Sequence, residues 1–171
     1  MGFFRFLFKA LLVIAVLIGI VLFAARFNDG PLEIIAGGEL IAGELYRGPE
    51  PDWSFVKDLN TVEFQLLTPA RSRTTWIMEA DGRVFIPSGY MTTWWGKIWK
   101  KWPFEAVKDG RIVLRADGKR YLRTLVRRNY DEIPPAVFSE LSRKYLEGNE
   151  IPSDAVTSGY MWVFELVPRE P

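Results

Sequence analysis

Five consecutive residues, Arg71, Ser72, Arg73, Thr74 and Thr75, place two guanidinium groups beside three short hydroxyls. Such a set suits the oxygens of a phosphate or carboxylate, because the guanidinium forks donate paired hydrogen bonds and the hydroxyls add donors at short range. The same run also reads as a solvated strand edge with threonine present for its β-propensity, and residue chemistry alone leaves both readings open. Further along, TTWWGKIWKKWP (92 to 103) gathers four tryptophans and three lysines.

Other chemistries are closed to this chain. Its 171 residues include no histidine and no cysteine, which excludes Ser-His-Asp and Cys-His nucleophilic sites, thiolate or imidazole zinc and His-ligated haem. An enzyme built from these residues must rely on carboxylates, on lysine, or on a cofactor that carries the chemistry itself. The carboxylates are scattered, with no paired catalytic spacing, and there is no Walker motif and no G-x-G-x-x-G. Gly37-Gly38 and Gly43 lie in an acidic stretch and read as turn glycines rather than as a phosphate cradle.

The elements that must position the basic and hydroxylic residues are mostly strands. Val62, Phe64 and Leu66 alternate with polar residues, and LLTPARSRTTW then ends a strand, turns at Pro69 and presents Arg71 to Thr75 before the next strand. TTWIME and RVFIP flank Ala80-Asp81-Gly82 and are expected to pair antiparallel; Asp117-Gly118 repeats the device between RIVLRA and the run from Arg120 to Arg127. SGYMWVFELVP places Tyr160, Trp162, Phe164 and Leu166 on one face of a closing strand. One helix is clear: Pro134-Pro135 opens it, Val137, Phe138, Leu141 and Tyr145 form its stripe, and Gly148 caps it. In the tryptophan-rich stretch, Trp95, Ile98, Trp99 and Trp102 share a helical face and Pro103 stops the turn. That face either covers the end of a barrel or lies on a membrane beside an N-terminal anchor.

The anchor is expected from FFRFLFKALLVIAVLIGIVLFAAR, uncharged from Ala10 to Ala25. At about 1.5 Å per residue it spans roughly 24 to 35 Å, which brackets a hydrocarbon core of about 30 Å. A cleaved signal peptide is the rival reading, but Leu22-Phe23-Ala24-Ala25 offers no A-x-A site. Arg5 and Lys9 precede the span whereas Asp29, Glu33 and Glu39 follow it. The positive-inside rule therefore expects a single-pass protein of the cell (inner) membrane with a cytoplasmic N-terminus and the folded domain outside the cytoplasm.

The near-zero total charge hides a dipolar chain. Asp29 to Glu63 holds eight acids and two bases, whereas Trp94 to Arg128 holds eleven bases and three acids. After residue 25 the 20 bases are matched by 21 acids, so no nucleic-acid partner is expected.

The order LLTPARSRTTWIMEADGRVFIPSG, WWGKIWKKWP, AVKDGRIVLRADGKRYLRTLVRR resembles the split β-barrel flavin-binding superfamily, in particular its deazaflavin-dependent nitroreductase and pyridoxamine-phosphate-oxidase-like branches. The likeness runs over residues 60 to 130 and rests on Leu67-Thr68, the turn Arg71 to Arg73, Thr74-Thr75, Ser88-Gly89, Trp94 to Ile98 and Pro103. Ala70 stands where that family's turn has Gly, Arg73 where a small residue is usual and Lys97 where Asn is expected. The resemblance implies that Arg71, Ser72, Arg73, Thr74 and Thr75 hold a cofactor phosphate. It implies further that Ser88, Trp94 and Trp95 line a ring pocket, that Lys97 or Lys100 adds charge, and that the chain forms a homodimer.

The expected architecture is mainly β: an anchor (1–27), an extended acidic connector (28–59) and a six-stranded or so antiparallel split β-barrel with one or two short helices (60–171). Two functions follow. One is an oxidoreductase using FMN or a deazaflavin; the other, equally open, is a membrane-tethered module without cofactor or catalysis that contacts an acidic protein partner, a second copy or lipid headgroups.

Overall fold

The computed structural model describes residues 2–152 and 154–169. An N-terminal helix, α1 (Gly2–Ala24), buries none of its residues and is long and apolar enough to cross a membrane. The remainder is a curled sheet of eight strands: β1 (Glu44–Leu45), β2 (Val62–Leu67), β3 (Ala70–Thr75), β4 (Met78–Ala80), β5 (Arg83–Ser88), β6 (Arg111–Ala116), β7 (Lys119–Arg128) and β8 (Trp162–Pro168). Four further helices surround it: α2 (Trp94–Trp99), α3 (Trp102–Lys108), α4 (Pro135–Tyr145) and α5 (Asp154–Thr157).

The strand order β3-β2-β6-β7-β8-β5-β4 is antiparallel throughout, with short β1 added in parallel to the start of β7. Its two edges, β3 and β4, are successive parts of one run interrupted only at Trp76-Ile77. The sheet therefore curls until its edges meet in a single bent segment, and a bridge from Gly37 of the connector to Ser72 covers part of the outer side of β3. Alternation fills the interior: Phe64, Leu66, Ile77, Val84, Ile86, Ile112, Leu114, Tyr121, Leu125 and Phe164 form one buried cluster drawn from both ends of the sheet. On the outer face of β4, β5 and β8, Met78, Phe85 and Val163 pack against Val137 and Leu141 of α4, a second core.

Both Asp-Gly turns form as expected. Asp81 and Gly82 have φ of 55° and 73°, and Asp117 and Gly118 have 48° and 70°, the left-handed pair that a two-residue hairpin requires. The α4 stripe forms as read, and so does the closing strand from Trp162 onward, but Tyr160 lies before that strand and not on its face.

Three expectations are corrected. TTWIME does not pair as a unit with RVFIP: Met78–Ala80 pairs with β5, but Thr74 and Thr75 pair with β2, because the bend at Trp76-Ile77 hands the run from one neighbour to the other. Arg71 to Thr75 is no turn; Leu67 already pairs with Ala70 across Thr68-Pro69, so these residues are strand β3 and alternate between its faces. Pro103 does not end a helix; Lys100-Lys101 breaks the tryptophan stretch into α2 and α3, and Pro103 sits in the first turn of α3, where its missing N–H costs nothing.

The break sets the fate of each tryptophan. Trp102, 7% exposed, enters the barrel with its ring centroid 5.0 Å from Phe64 and 5.3 Å from Phe164, whereas Trp94, Ile98 and Trp99 remain exposed.

The connector docks on the barrel by charge and by aromatic burial. Arg115 of β6 pairs with Glu63 and with Asp29 at 2.8 Å, Arg120 donates to the carbonyls of Leu40 and Gly43, and Trp53 and Val56 are fully buried in the interior cluster. Arg123, itself buried, pairs with Glu50 at 2.8 Å and lies 4.7 Å from the Trp53 ring centroid, while the Trp53 indole N–H donates to the same carboxyl group at 2.6 Å.

Since Trp102 plugs the barrel end, Trp102→Ala is expected to destabilise the fold by about 3–5 kcal/mol, the range for deleting a buried aromatic. Denaturant unfolding measures it; a loss near zero contradicts the packing.

Candidate functional site

The bend in the Ala70–Ala80 run borders two adjoining clefts. The larger, about 870 Å³, lies between the ends of β3 and β5, the loop leading to α2 and the chain from Leu146 to Met161, with Thr74, Thr75, Trp76, Gly89, Tyr90, Lys100, Asp154 and Tyr160 on its walls. The smaller, about 400 Å³, is lined by Arg73, Thr74, Thr75, Ser88, Trp99, Lys100 and Trp102, with Leu22 of α1 and Ile34 to Ala36 of the connector opposite. Thr74, Thr75, Pro87 and Lys100 belong to both.

Of the ten site residues expected from sequence, Arg73, Thr74, Thr75, Ser88 and Lys100 converge on these clefts. The others lie elsewhere. Arg71 borders neither cleft, and Ser72 is fully buried under the connector, exchanging backbone hydrogen bonds with Gly37 at 3.0 and 3.3 Å. Trp94, Trp95 and Lys97 are exposed on α2.

Two cations flank the shared wall and differ in freedom. Arg73 lies 3.7 Å from Glu105 of α3; burial lowers its pKa, and the Glu105 carboxylate opposes that shift. Lys100 forms no ion pair among the described residues. Its ammonium stands 5.5 Å from the Tyr90 ring centroid, and burial pushes its pKa below the ordinary lysine value of 10.5. A half-buried ammonium without a carboxylate is an acceptor-seeking group. Ser88 is already occupied, its hydroxyl donating to the Met91 sulfur at 3.3 Å.

The larger cleft is also aromatic. Tyr90 packs on Trp95 with centroids 4.7 Å apart and on Tyr160 at 5.2 Å, and Trp76 stacks on Tyr145 of α4 at 4.4 Å and 6°. Tyr145 is fixed in turn, donating to the Asn60 carbonyl at 2.7 Å and accepting from the Ile77 amide at 2.9 Å. Sequence reasoning missed Trp76, Tyr90 and Tyr160 as site residues. Tyr160 carried a strand-face signal, but nothing local marked the chain around it as a cleft wall.

Chemically, the arrangement offers one free ammonium, one partly neutralised guanidinium and two hydroxyls at the mouth of an aromatic-walled cleft. Its volume falls within the range of about 300–1,000 Å³ usual for small-molecule sites.

No protein-family model matches the chain, and no curated protein matches it. Among solved structures it is similar to a protein provisionally named pyridoxamine 5'-phosphate oxidase from Listeria innocua, at 10% identity and a TM-score of 0.45 over 68% of this chain and 90% of that one. It is also similar to a conserved hypothetical protein from Mycobacterium tuberculosis, at 14% identity and a TM-score of 0.46 over 74% of this chain and 84% of that one.

The environment of Lys100 can be read directly. In an NMR titration of ¹³C-dimethylated lysines, Lys100 is expected to titrate below the ordinary lysine value. A midpoint at or above that value contradicts the burial described here.

Proposed function

We propose that this chain is a membrane-anchored split-barrel protein that binds a flavin-type cofactor, FMN or a deazaflavin, and serves as an oxidoreductase. The observation that carries the reading is the unpaired, half-buried Lys100 beside Thr74 and Thr75 at an aromatic cleft. This donor set fits the group: Lys100, Thr74 and Thr75, with Arg73 behind them, would hold the phosphate, and the walls at Trp76, Tyr90 and Tyr160 would border the ring. When bound, the ring supplies hydride transfer. The protein's residues bind and orient it and keep its pocket dry. Arg5 and Lys9, in the first turns of α1 ahead of its uncharged run, support a cytoplasmic N-terminus and a barrel on the far side of the membrane.

The second reading is a tethered module that catalyses nothing. What favours it is the exposed aromatic face of α2, which the cofactor reading leaves unused.

Full-length protein purified in detergent and titrated with FMN and with a deazaflavin distinguishes the two. Flavin-type absorbance, or micromolar binding that Lys100→Met weakens roughly tenfold or more, is the expected outcome for a charge-assisted contact. A colourless protein that binds neither compound contradicts the cofactor reading.

A further inference from the structure

The folded domain carries an aromatic and cationic surface that none of its described residues cover. On α2, Trp94 is 76% exposed, Ile98 64% and Trp99 70%. Their outward orientation is fixed by the seating of the helix. Thr93 caps it, its hydroxyl oxygen accepting from the Gly96 amide at 3.1 Å. Gly96 presses so close to the loop before α2 that a Cβ there would stand 2.0 Å from the Tyr90 carbonyl oxygen. The glycine side is the side that docks, so the tryptophans cannot turn inward without lifting the helix.

The charges around this surface differ from those elsewhere on the barrel. In the basic region, Arg111, Arg115, Arg123 and Arg128 are all engaged by carboxylates of the chain itself. Lys97 of α2, Lys101 in the break and Lys108 of α3 are exposed and have no ion pair among the described residues. Elsewhere in the basic region, Arg120 is held by the carbonyls of Leu40 and Gly43 and Arg127 lies over the Trp162 ring, so these three lysines are unpaired charges set beside exposed apolar surface.

Position identifies the occupant. Leu22, in the last turn of α1, lines the smaller cleft together with Trp99 and Ile34, and Ile34 is 82% exposed. The exposed aromatic helix thus stands beside the end of the candidate span, at the depth where a membrane-crossing helix passes from acyl chains to headgroups. Tryptophan with lysine is the pair that this boundary selects, the indole amphipathic and the ammonium reaching lipid phosphates.

We infer that α2 is a second membrane contact, its Trp94–Ile98–Trp99 face seated in the interface of an anionic bilayer and Lys97, Lys101 and Lys108 on the headgroups. This rests on the reading of α1 as an anchor. It fixes the barrel against the leaflet rather than leaving it to swing on the connector, and it turns the smaller cleft toward the bilayer.

The anchor contains no tryptophan, so indole fluorescence reports on the folded domain alone. Full-length protein is reconstituted in vesicles of equal phosphatidylcholine and phosphatidylglycerol, with a part of the lipid brominated near the carbonyl end of its chains. Flotation after alkaline extraction reads the anchor; bromine quenching reads α2. Quenching is expected in the wild type, cut to less than half in Trp94→Phe/Trp99→Phe, and reduced in Lys97→Gln/Lys101→Gln/Lys108→Gln or in vesicles of phosphatidylcholine alone. Far-ultraviolet circular dichroism confirms that each variant is folded. Protein that floats but is not quenched, or whose quenching survives the double tryptophan change, overturns the inference while leaving the anchor intact. Unquenched protein that behaves as a dimer in detergent assigns the face to a second copy, which also overturns it. Failure to float overturns the anchor and the inference together.

Discussion

Closure of the sheet through one bent run, Ala70–Ala80, is the constraint on which the rest of this structure depends. A seven-strand path with two free edges would expose unpaired backbone groups at both ends. Here one segment serves as both edges, giving its first half to β2 and its second to β5. The handover at Trp76-Ile77 turns Ile77 into the barrel and leaves Trp76 outside on Tyr145, so the bend creates the aromatic wall of the larger cleft. Thr74 and Thr75, the last residues before the bend, reach the rim for the same reason.

Charge organises the outside of the barrel as apolar alternation organises the inside. The dipolar sequence is joined within the molecule at a few points: the acidic connector lies on the basic β6–β7 hairpin, with Arg115 and Arg123 as its ion-paired attachments. These are partly buried, hydrogen-bonded pairs in which the loss of one partner strands the other, so they specify where the connector runs more than they add net stability. Glu165 of β8 has the same role on the opposite side: its carboxyl pKa is held below the ordinary glutamate value, first by Arg83 and then by Arg128.

Local signals made much of the fold legible. Asp81-Gly82 and Asp117-Gly118 announced their hairpins because few residue pairs accept two successive positive φ angles, and Val62, Phe64 and Leu66 announced an inner face by alternation. The partition of TTWIME between two partners was not legible, since alternation says which face a residue takes and not which strand lies beside it. Likewise, Trp99 and Trp102 share a helical face by spacing alone, yet Pro103 favours the start of a new helix. The break therefore buries one and exposes the other. For the candidate site, Thr74, Thr75 and Lys100 could be picked out by type. The cleft wall from Leu146 to Met161 could not, because it arrives from more than seventy residues along the chain from Thr75.

Native-state hydrogen exchange on the full chain in detergent tests closure most directly. If the bent run holds the barrel shut, the amides of β3 that pair with β2 and those of β4 that pair with β5 exchange in one step, at the free energy of the central β6 and β7 amides. Met78–Ala80 opening at markedly lower free energy than Ala70–Thr75 would contradict it, since the edges would then be two independent strands and the clefts at the bend would have no fixed wall.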